Sequence, residues 1–450
     1  MKRLLFEKLC AWKASARRKP LVLRGVRQTG KTYLLEHFGA QAFRRYHIVN
    51  FEKQKAMASL FARDLDPHRI INELALALHA DIDIQQDLVI FDEIQACPEA
   101  LTSLKYFCES LPELALCSAG SLLGLKLSEG SYPVGKVDMM HLSPMTFIEF
   151  LAGTGHEKLS DYLAELHVGD EIPDIIHQQC WALFKIYLIV GGLPEVVSVY
   201  REHQDNQFMA FSAVRKKQEE LINAYYADIA KHAGKVNAMH IDRVWRSVPV
   251  QLSKTLSGQA ERYRFKGVIP SINRYSRLVN VFDWLDSAEL VQQVRVVETV
   301  QSPLKAYAKD SAFKCFMFDV GVLGAMSGLD PSDIFNYDYG TYKGYFAENF
   351  VLQAISSMTE KSLYNWQENR SEVEFLFSHQ GEIIPLEVKS GAVVKAQSLK
   401  KFDERYKPTC KVIFSARNLR TEQKDRLIQI PLYMAERLIA LIDSFGSDVE

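Results

Sequence analysis

Short apolar runs alternate with stretches of helical spacing along the first 150 residues. Leu21-Val22-Leu23-Arg24 follows Pro20 as a run fit for a buried strand. Tyr46–Phe51, Asp87–Phe91 and Leu114–Cys117 are further strand candidates, and Leu34, Leu35 and Phe38 mark a helix between the first two. Strand–helix alternation of this kind predicts an α/β fold with a doubly wound parallel sheet. From 151 to 230 the spacing turns helical throughout, with Leu183, Tyr187 and Val190, then Phe208, Phe211, Leu221 and Tyr225. Gly191-Gly192-Leu193-Pro194 reads there as a helix stop and tight interhelix turn.

The pattern changes again after 230. Val244, Val248, Leu252 and Leu256 lie on one helical face, a polar loop follows, and Ile272–Ala288 reads as a second amphipathic helix. Val294–Val297 then has strand character. Helix, loop, helix and β-ribbon suit a winged helix. The last block predicts a helix over Tyr342–Ser357, strands at Leu363–Trp366 and Glu372–Phe377, a turn at His379-Gln380-Gly381 and a strand at Ile383–Lys389. Trp366 and Phe375 are expected in the core. The expected domains are therefore 1–150, 151–230, 231–325 and 326–450.

Composition narrows the class. The 450 residues are 48% hydrophobic and 24% charged, which excludes disorder, collagen and coiled coil as the main architecture. Lys plus Arg is 54 against 55 Asp plus Glu, a net charge of -1, so bulk positive charge cannot be what binds nucleic acid. A local basic face survives that test: Arg262, Arg264, Lys266, Arg274 and Arg277 could touch phosphates or form a solvated face. The seven cysteines are scattered without a CxxC pair, against disulfide and zinc readings. The most apolar window, Leu183–Tyr200, contains Lys185, Pro194 and Glu195, so no membrane partner is expected. Glu7 and Lys8 break any apolar stretch after Met1, so the expected compartment is the cytoplasm.

The chemistry concentrates in two places. Gly25-Val26-Arg27-Gln28-Thr29-Gly30-Lys31-Thr32 is a complete GxxxxGK[ST] between a strand and a helix. The glycines let backbone N–H groups turn toward phosphate oxygens, and the helix N-terminus adds positive potential. Lys31 would reach the β- and γ-phosphates, and Thr32 would ligate Mg²⁺. Asp87–Glu93 is an apolar strand ending in two acids. Asp92 would help hold the Mg²⁺, and Glu93 would orient and deprotonate the attacking water. The Ser118-Ala119-Gly120-Ser121 stretch ends another strand, where a polar side chain could sense a γ-phosphate or simply make a turn.

GVRQTGKT, LVIFDEIQACPEALTSLK, SAGS and LSPMTFIEFL together resemble the AAA-type ATP-binding proteins of bacteria and archaea related to the archaeal ATPases. The likeness continues at Val190–Glu195, Pro303–Tyr307, Asp319-Val320-Gly321 and the final EVK. It implies ATP as ligand, a helical lid over 151–230 and a sensor at Ser121, and it permits a homo-oligomeric ring, which the sequence itself does not show. In that family a Gly-Arg often precedes the LSPMTF-like segment, whereas this chain has Gly135-Lys136. Lysine lacks the bidentate fork of an arginine finger. Arg24 and Arg27 flank the phosphate loop as other sources of a guanidinium.

The C-terminal pattern of an acid, a hairpin and E-x-K resembles the PD-(D/E)XK, restriction-endonuclease-like fold. Glu387 and Lys389 are two apart in a strand and so share a face; Glu374 on the neighbouring strand can face them, with Glu348 approaching from the helix. The implied chemistry is phosphodiester hydrolysis with Mg²⁺ or Mn²⁺ on Glu374, Glu387 and Glu348, and Lys389 offsetting developing charge. The family usually has Asp where Glu374 stands. In positioning-sensitive chemistry a displacement of ~1 Å can cost ~100-fold. An E-x-K ion pair without metal is the competing reading. Two functions follow: an ATPase whose nucleotide state controls a module handling double-stranded DNA, or a slow ATP-driven switch whose nuclease-like domain binds partners without cutting.

Overall fold

The computed structural model describes residues 1–120, 135–252, 261–270, 272–369, 371–392 and 396–447. They gather into two compact units, residues 1–143 with 287–289, and residues 144–286 with 290–450.

The N-terminal unit is a five-stranded, wholly parallel sheet in the order β2-β3-β4-β1-β5. Its strands are β1 (Leu21–Arg24), β2 (Tyr46–Asn50), β3 (Leu88–Asp92), β4 (Ala115–Ala119) and β5 (Asp138–His141). The apolar runs exist because both faces of the sheet are covered, as parallel sheets require. Leu21, Leu23, Leu88, Ile90 and Cys117 pack on one face with α1 (Leu5–Ala14) and α2 (Lys31–Ala42). Val22, Val89, Phe91 and Leu116 pack on the other with α3 (Pro67–Leu78) and α4 (Pro98–Ser110). The strand order puts β4 between β1 and β3, so its end lies between the phosphate loop and the acidic pair. Gly120 closes β4; Ser121 lies outside the described residues.

The C-terminal unit carries a mixed eight-stranded sheet, β12-β13-β11-β10-β9-β8-β6-β7. The strands are β6 (Val291–Val297), β7 (Ala308–Met317), β8 (Tyr364–Glu368), β9 (Ser371–His379), β10 (Glu382–Val388), β11 (Lys411–Ser415), β12 (Arg420–Glu422) and β13 (Leu427–Pro431). β9 and β10 form a hairpin whose two-residue turn, Gln380-Gly381, has φ of 48° and 89°. Positive φ at both positions is what a type I′ turn needs to match strand twist. The register runs through Leu386 opposite Phe375, which sets Glu387 opposite Glu374. Trp366 and Phe375 are both buried.

The stretch read as a winged helix is joined to this sheet. β6 and β7 pair antiparallel as a ribbon, but β6 also pairs parallel with β8, so the ribbon ends the C-terminal sheet. The helix expected over Ile272–Ala288 is shorter, Val279–Ser287. Before it the chain makes a short 3₁₀ turn, Tyr275–Arg277, and Tyr275 packs against Phe265 and Phe313. Leu256 lies outside the described residues.

At Gly191 the helix Asp174–Val190 stops, and Pro194 starts the next, Pro194–His203. Gly191 has φ 74°, and a Cβ there would lie 2.2 Å from Asp319 Oδ1. The Gly192 N–H donates to Asp319 Oδ2 at 2.7 Å, and the Met145 N–H donates to the Gly192 carbonyl at 2.6 Å. The Gly-Gly-Leu-Pro, Asp-Val-Gly and Ser-Pro-Met segments, far apart in the chain, thus meet at one buried point. Burial raises the Asp319 carboxyl above its ordinary range, although three backbone N–H groups pull the other way.

Candidate functional sites

The phosphate loop leaves the carboxyl end of β1 and enters α2. Gly25 has φ 150°, and a Cβ on it would lie 2.3 Å from the Leu142 carbonyl oxygen, so only glycine admits the loop this close to the end of β5. Gln28 also has positive φ, 68°. Thr29 is wholly buried and its hydroxyl donates to the Val26 carbonyl at 2.8 Å. Arg3 clips the loop from outside: Nη1 donates to the Thr29 carbonyl at 2.8 Å and Nη2 to the Ser143 carbonyl at 2.6 Å.

Lys31 opens α2 and is only 8% exposed. Its Nζ donates to the carbonyls of Gly25 and Val26 at 2.8 and 2.9 Å. Burial lowers its pKa to about 8, only partly opposed by carboxylates that include Glu93 and Asp92. Thr32 Oγ1 donates to Asp92 Oδ1 at 3.0 Å. Asn50, at the end of β2, donates from Nδ2 to Asp92 Oδ2 at 2.7 Å. Glu93 follows Asp92 in the left-handed region, φ 50°, and accepts from Gln95 Nε2. A hydroxyl and a carboxylate held together beside a cradled lysine are the hard oxygen donors that suit Mg²⁺ on a nucleotide.

The guanidinium candidates part ways. Arg24 ends β1 and Arg27 lies in the loop, both half-buried. Lys136 pairs with Glu109 of α4 at 3.0 Å, and that contact raises its pKa. In this structure the Lys136 ammonium is taken up by a carboxylate on α4.

In the C-terminal unit the hairpin register brings Glu374, Glu387 and Lys389 together as expected. Lys389 Nζ lies 2.6 Å from Glu387 Oε1 and 3.4 Å from Glu374 Oε1, and the Val388 N–H donates to Glu374 Oε2 at 3.2 Å. Burial, with Glu374 beside it, pushes the Glu387 carboxyl upward. Burial alone would lower Lys389, but Glu374 and Glu387 more than offset it.

Glu348, expected to complete a metal site, instead carries an ion pair to Lys314. Lys314 lies in β7 with a side chain 0% exposed, 3.1 Å from Glu348 Oε2 and 2.5 Å from Glu372 Oε1. Asn365 Nδ2 also donates to Glu372 at 2.9 Å. Among the described residues, no group of three or more His, Cys, Asp or Glu side chains is placed to hold a metal ion. The three-carboxylate Mg²⁺ or Mn²⁺ site does not fit these residues, because an internal ammonium holds one of its members.

Glu372 also lines a cleft of about 860 Å³ with Arg262, Arg264, Glu298, Gln367 and Arg405. Arg262 donates to Gln367 Oε1, Arg264 pairs with Glu261, and Arg405 pairs with Glu368. Lys266, Arg274 and Arg277 are exposed.

Sequence reasoning missed Arg3, Asn50 and Lys314. Lys314 had a signal: it is a lone charge in Ala312–Phe318, a run otherwise apolar. A charge inside a buried strand demands partners. Arg3 and Asn50 had none, since their partners are set by chain crossings.

Residues 17–151 match a family model described as an AAA domain. Residues 182–333 and 343–434 match two domains of unknown function, DUF8612 and DUF4143. No match is found among curated proteins. Among solved structures the chain is similar to the Walker-type ATPase PABY2304 of Pyrococcus abyssi, with 16% identity, a TM-score of 0.44, and 71% of this chain and 94% of that chain covered. It is also similar to a Thermotoga maritima RuvB mutant, with 15% identity, a TM-score of 0.33, and 64% and 88% covered. AMPPCP-bound DnaA from Aquifex aeolicus gives 14% identity, a TM-score of 0.29, and 63% and 87% covered. Among the described residues no helix is long and apolar enough to cross a membrane.

Proposed function

We propose that this chain binds ATP with Mg²⁺ at the phosphate loop of its AAA domain and hydrolyses it. The observation that carries this reading is the cradle itself: Lys31 Nζ on the Gly25 and Val26 carbonyls, beside Thr32 bonded to Asp92. Residues Gly25 to Thr32 would receive the phosphates, with Lys31 exchanging its two carbonyl partners for phosphate oxygens. Thr32 and Asp92 would hold the Mg²⁺, which when bound neutralises phosphate charge. Glu93 would hold the attacking water and accept its proton, steadied by Gln95. Asn50 keeps the Asp92 carboxylate turned toward Thr32.

A second reading makes the chain a slow ATP-driven switch whose nuclease-like unit does not cut. Two contacts favour it: Lys136 is engaged by Glu109, and Lys314 holds Glu348. Under the first reading the C-terminal unit handles double-stranded DNA and reports it to the nucleotide site. ATP turnover with Mg²⁺, with and without double-stranded DNA, tests both. Turnover must vanish in Lys31→Ala, and Glu93→Gln must keep ATP binding while losing hydrolysis. Stimulation by DNA supports the DNA-handling reading; slow turnover indifferent to DNA supports the switch. Turnover that persists in Lys31→Ala overturns the phosphate-loop assignment.

A further inference from the structure

Four carboxylates of the C-terminal unit come from three elements, and two lysines meet them. Glu348 lies on the helix Tyr342–Met358, Glu372 and Glu374 on β9, and Glu387 on β10. Lys389 spans Glu374 and Glu387, while Lys314 reaches in from β7 to Glu348 and Glu372. We propose that the Lys314 ammonium takes the place of a divalent cation in this cluster, so that its buried carboxylates are partnered without metal.

Three observations carry this. Lys314 has no solvent exposure, and a charge so buried persists only among partners. Its amino group lies 2.5 and 3.1 Å from carboxylates of two different elements, Glu372 on β9 and Glu348 on the helix. A metal ion placed beside it would face a like charge at short range with little water between them, which is strongly unfavourable. The two lysines do not cancel four carboxylates. The rest of their charge is solvated instead: the Asn365 and Val388 N–H groups donate to Glu372 and Glu374, and the Glu372 side chain is 22% exposed at the cleft.

The inference rests on the nuclease-like reading of this unit and is independent of the phosphate loop. Its test is Mn²⁺ binding by the nucleotide-free full chain, followed by electron paramagnetic resonance and by thermal shift. The wild type is expected to bind no Mn²⁺ that depends on Glu374 or Glu387. Lys314→Met should then gain Mn²⁺ affinity at least tenfold, and Glu348→Gln added to it should abolish the gain. Wild-type binding that disappears in Glu387→Gln overturns the proposal, whether or not Lys314→Met folds. A folded Lys314→Met protein that gains no Mn²⁺ also overturns it. Because binding is read without turnover, Mn²⁺ on the wild type without DNA cleavage would sink this proposal and leave the switch reading standing. DNA-stimulated turnover would do the reverse.

Discussion

Asn50 Nδ2 donates to Asp92 Oδ2 at 2.7 Å, which leaves the other oxygen of Asp92 to accept from Thr32. Two strand ends, β2 and β3, thereby fix one carboxylate in a single orientation, the one the proposed Mg²⁺ site would use. Partners of this kind are typically worth ~10–100-fold in metal affinity or activity. Asn50→Ala should raise the Mg²⁺ concentration for half-maximal turnover by ~10-fold or more, while Mg²⁺-free nucleotide binding stays unchanged. An unaltered Mg²⁺ dependence would remove Asn50 from the site.

Lys31 is charged in the unfolded chain up to its ordinary pKa of 10.5 but only to about 8 in the folded one. Between those values the unfolded chain binds more protons, so this lysine's destabilising contribution is full below pH 8 and fades as pH rises toward 10.5. At ~1.4 kcal/mol per pKa unit the cost at neutral pH is about 3 kcal/mol. Lys31→Met should therefore stabilise the nucleotide-free protein at pH 7 while abolishing ATP binding. The gain in melting temperature should shrink between pH 8 and 10. A gain independent of pH would point to some other cause.

Arg3 ties the Thr29 carbonyl to the Ser143 carbonyl through one guanidinium. Removing it leaves two carbonyls without that donor, an effect of ~1–3 kcal/mol. Arg3→Ala should lower the melting temperature and weaken ATP binding together. Arg3→Lys should recover little, because an ammonium cannot reproduce the fork. Differential scanning fluorimetry with and without ATP reads both effects.

Lys136 is engaged by Glu109 on the surface. Lys136→Ala should change ATP turnover by less than about twofold, as expected of an exposed pair. A larger loss, rescued by Lys136→Arg, would show that the side chain leaves Glu109 for the phosphates during turnover.

Lys314 tests the C-terminal unit by its stability. Breaking a buried pair by removing one partner typically costs ~3–5 kcal/mol. Lys314→Ala should shift the denaturant midpoint accordingly. The double change Lys314→Met with Glu348→Gln should cost less than the sum of the single changes. Strict additivity would mean that the two side chains do not interact.

The phosphate loop, the acidic pair and the β9–β10 hairpin were legible in the residues because their determinants are local. A loop between strand and helix, an acid at a strand end, and a Gln-Gly turn act over a few neighbouring positions, and a two-residue periodicity puts Glu387 and Lys389 on one face. The apolar content of β1 and β3 likewise carried the news that both faces of the first sheet are covered. Which strand lies beside which was not written locally. The β6–β7 ribbon reads as a wing until β8, more than sixty residues later, pairs with β6 and draws it into the C-terminal sheet. Glu348 reads as a metal ligand until β7 delivers Lys314 to it. Arg3 and Lys136 find their partners in the same way, across 140 and 27 residues of chain. Backbone conformation and burial are paid for residue by residue, so sequence patterns report them. Charge partners depend on which elements the whole fold brings within a few ångströms, and only the tertiary structure decides that.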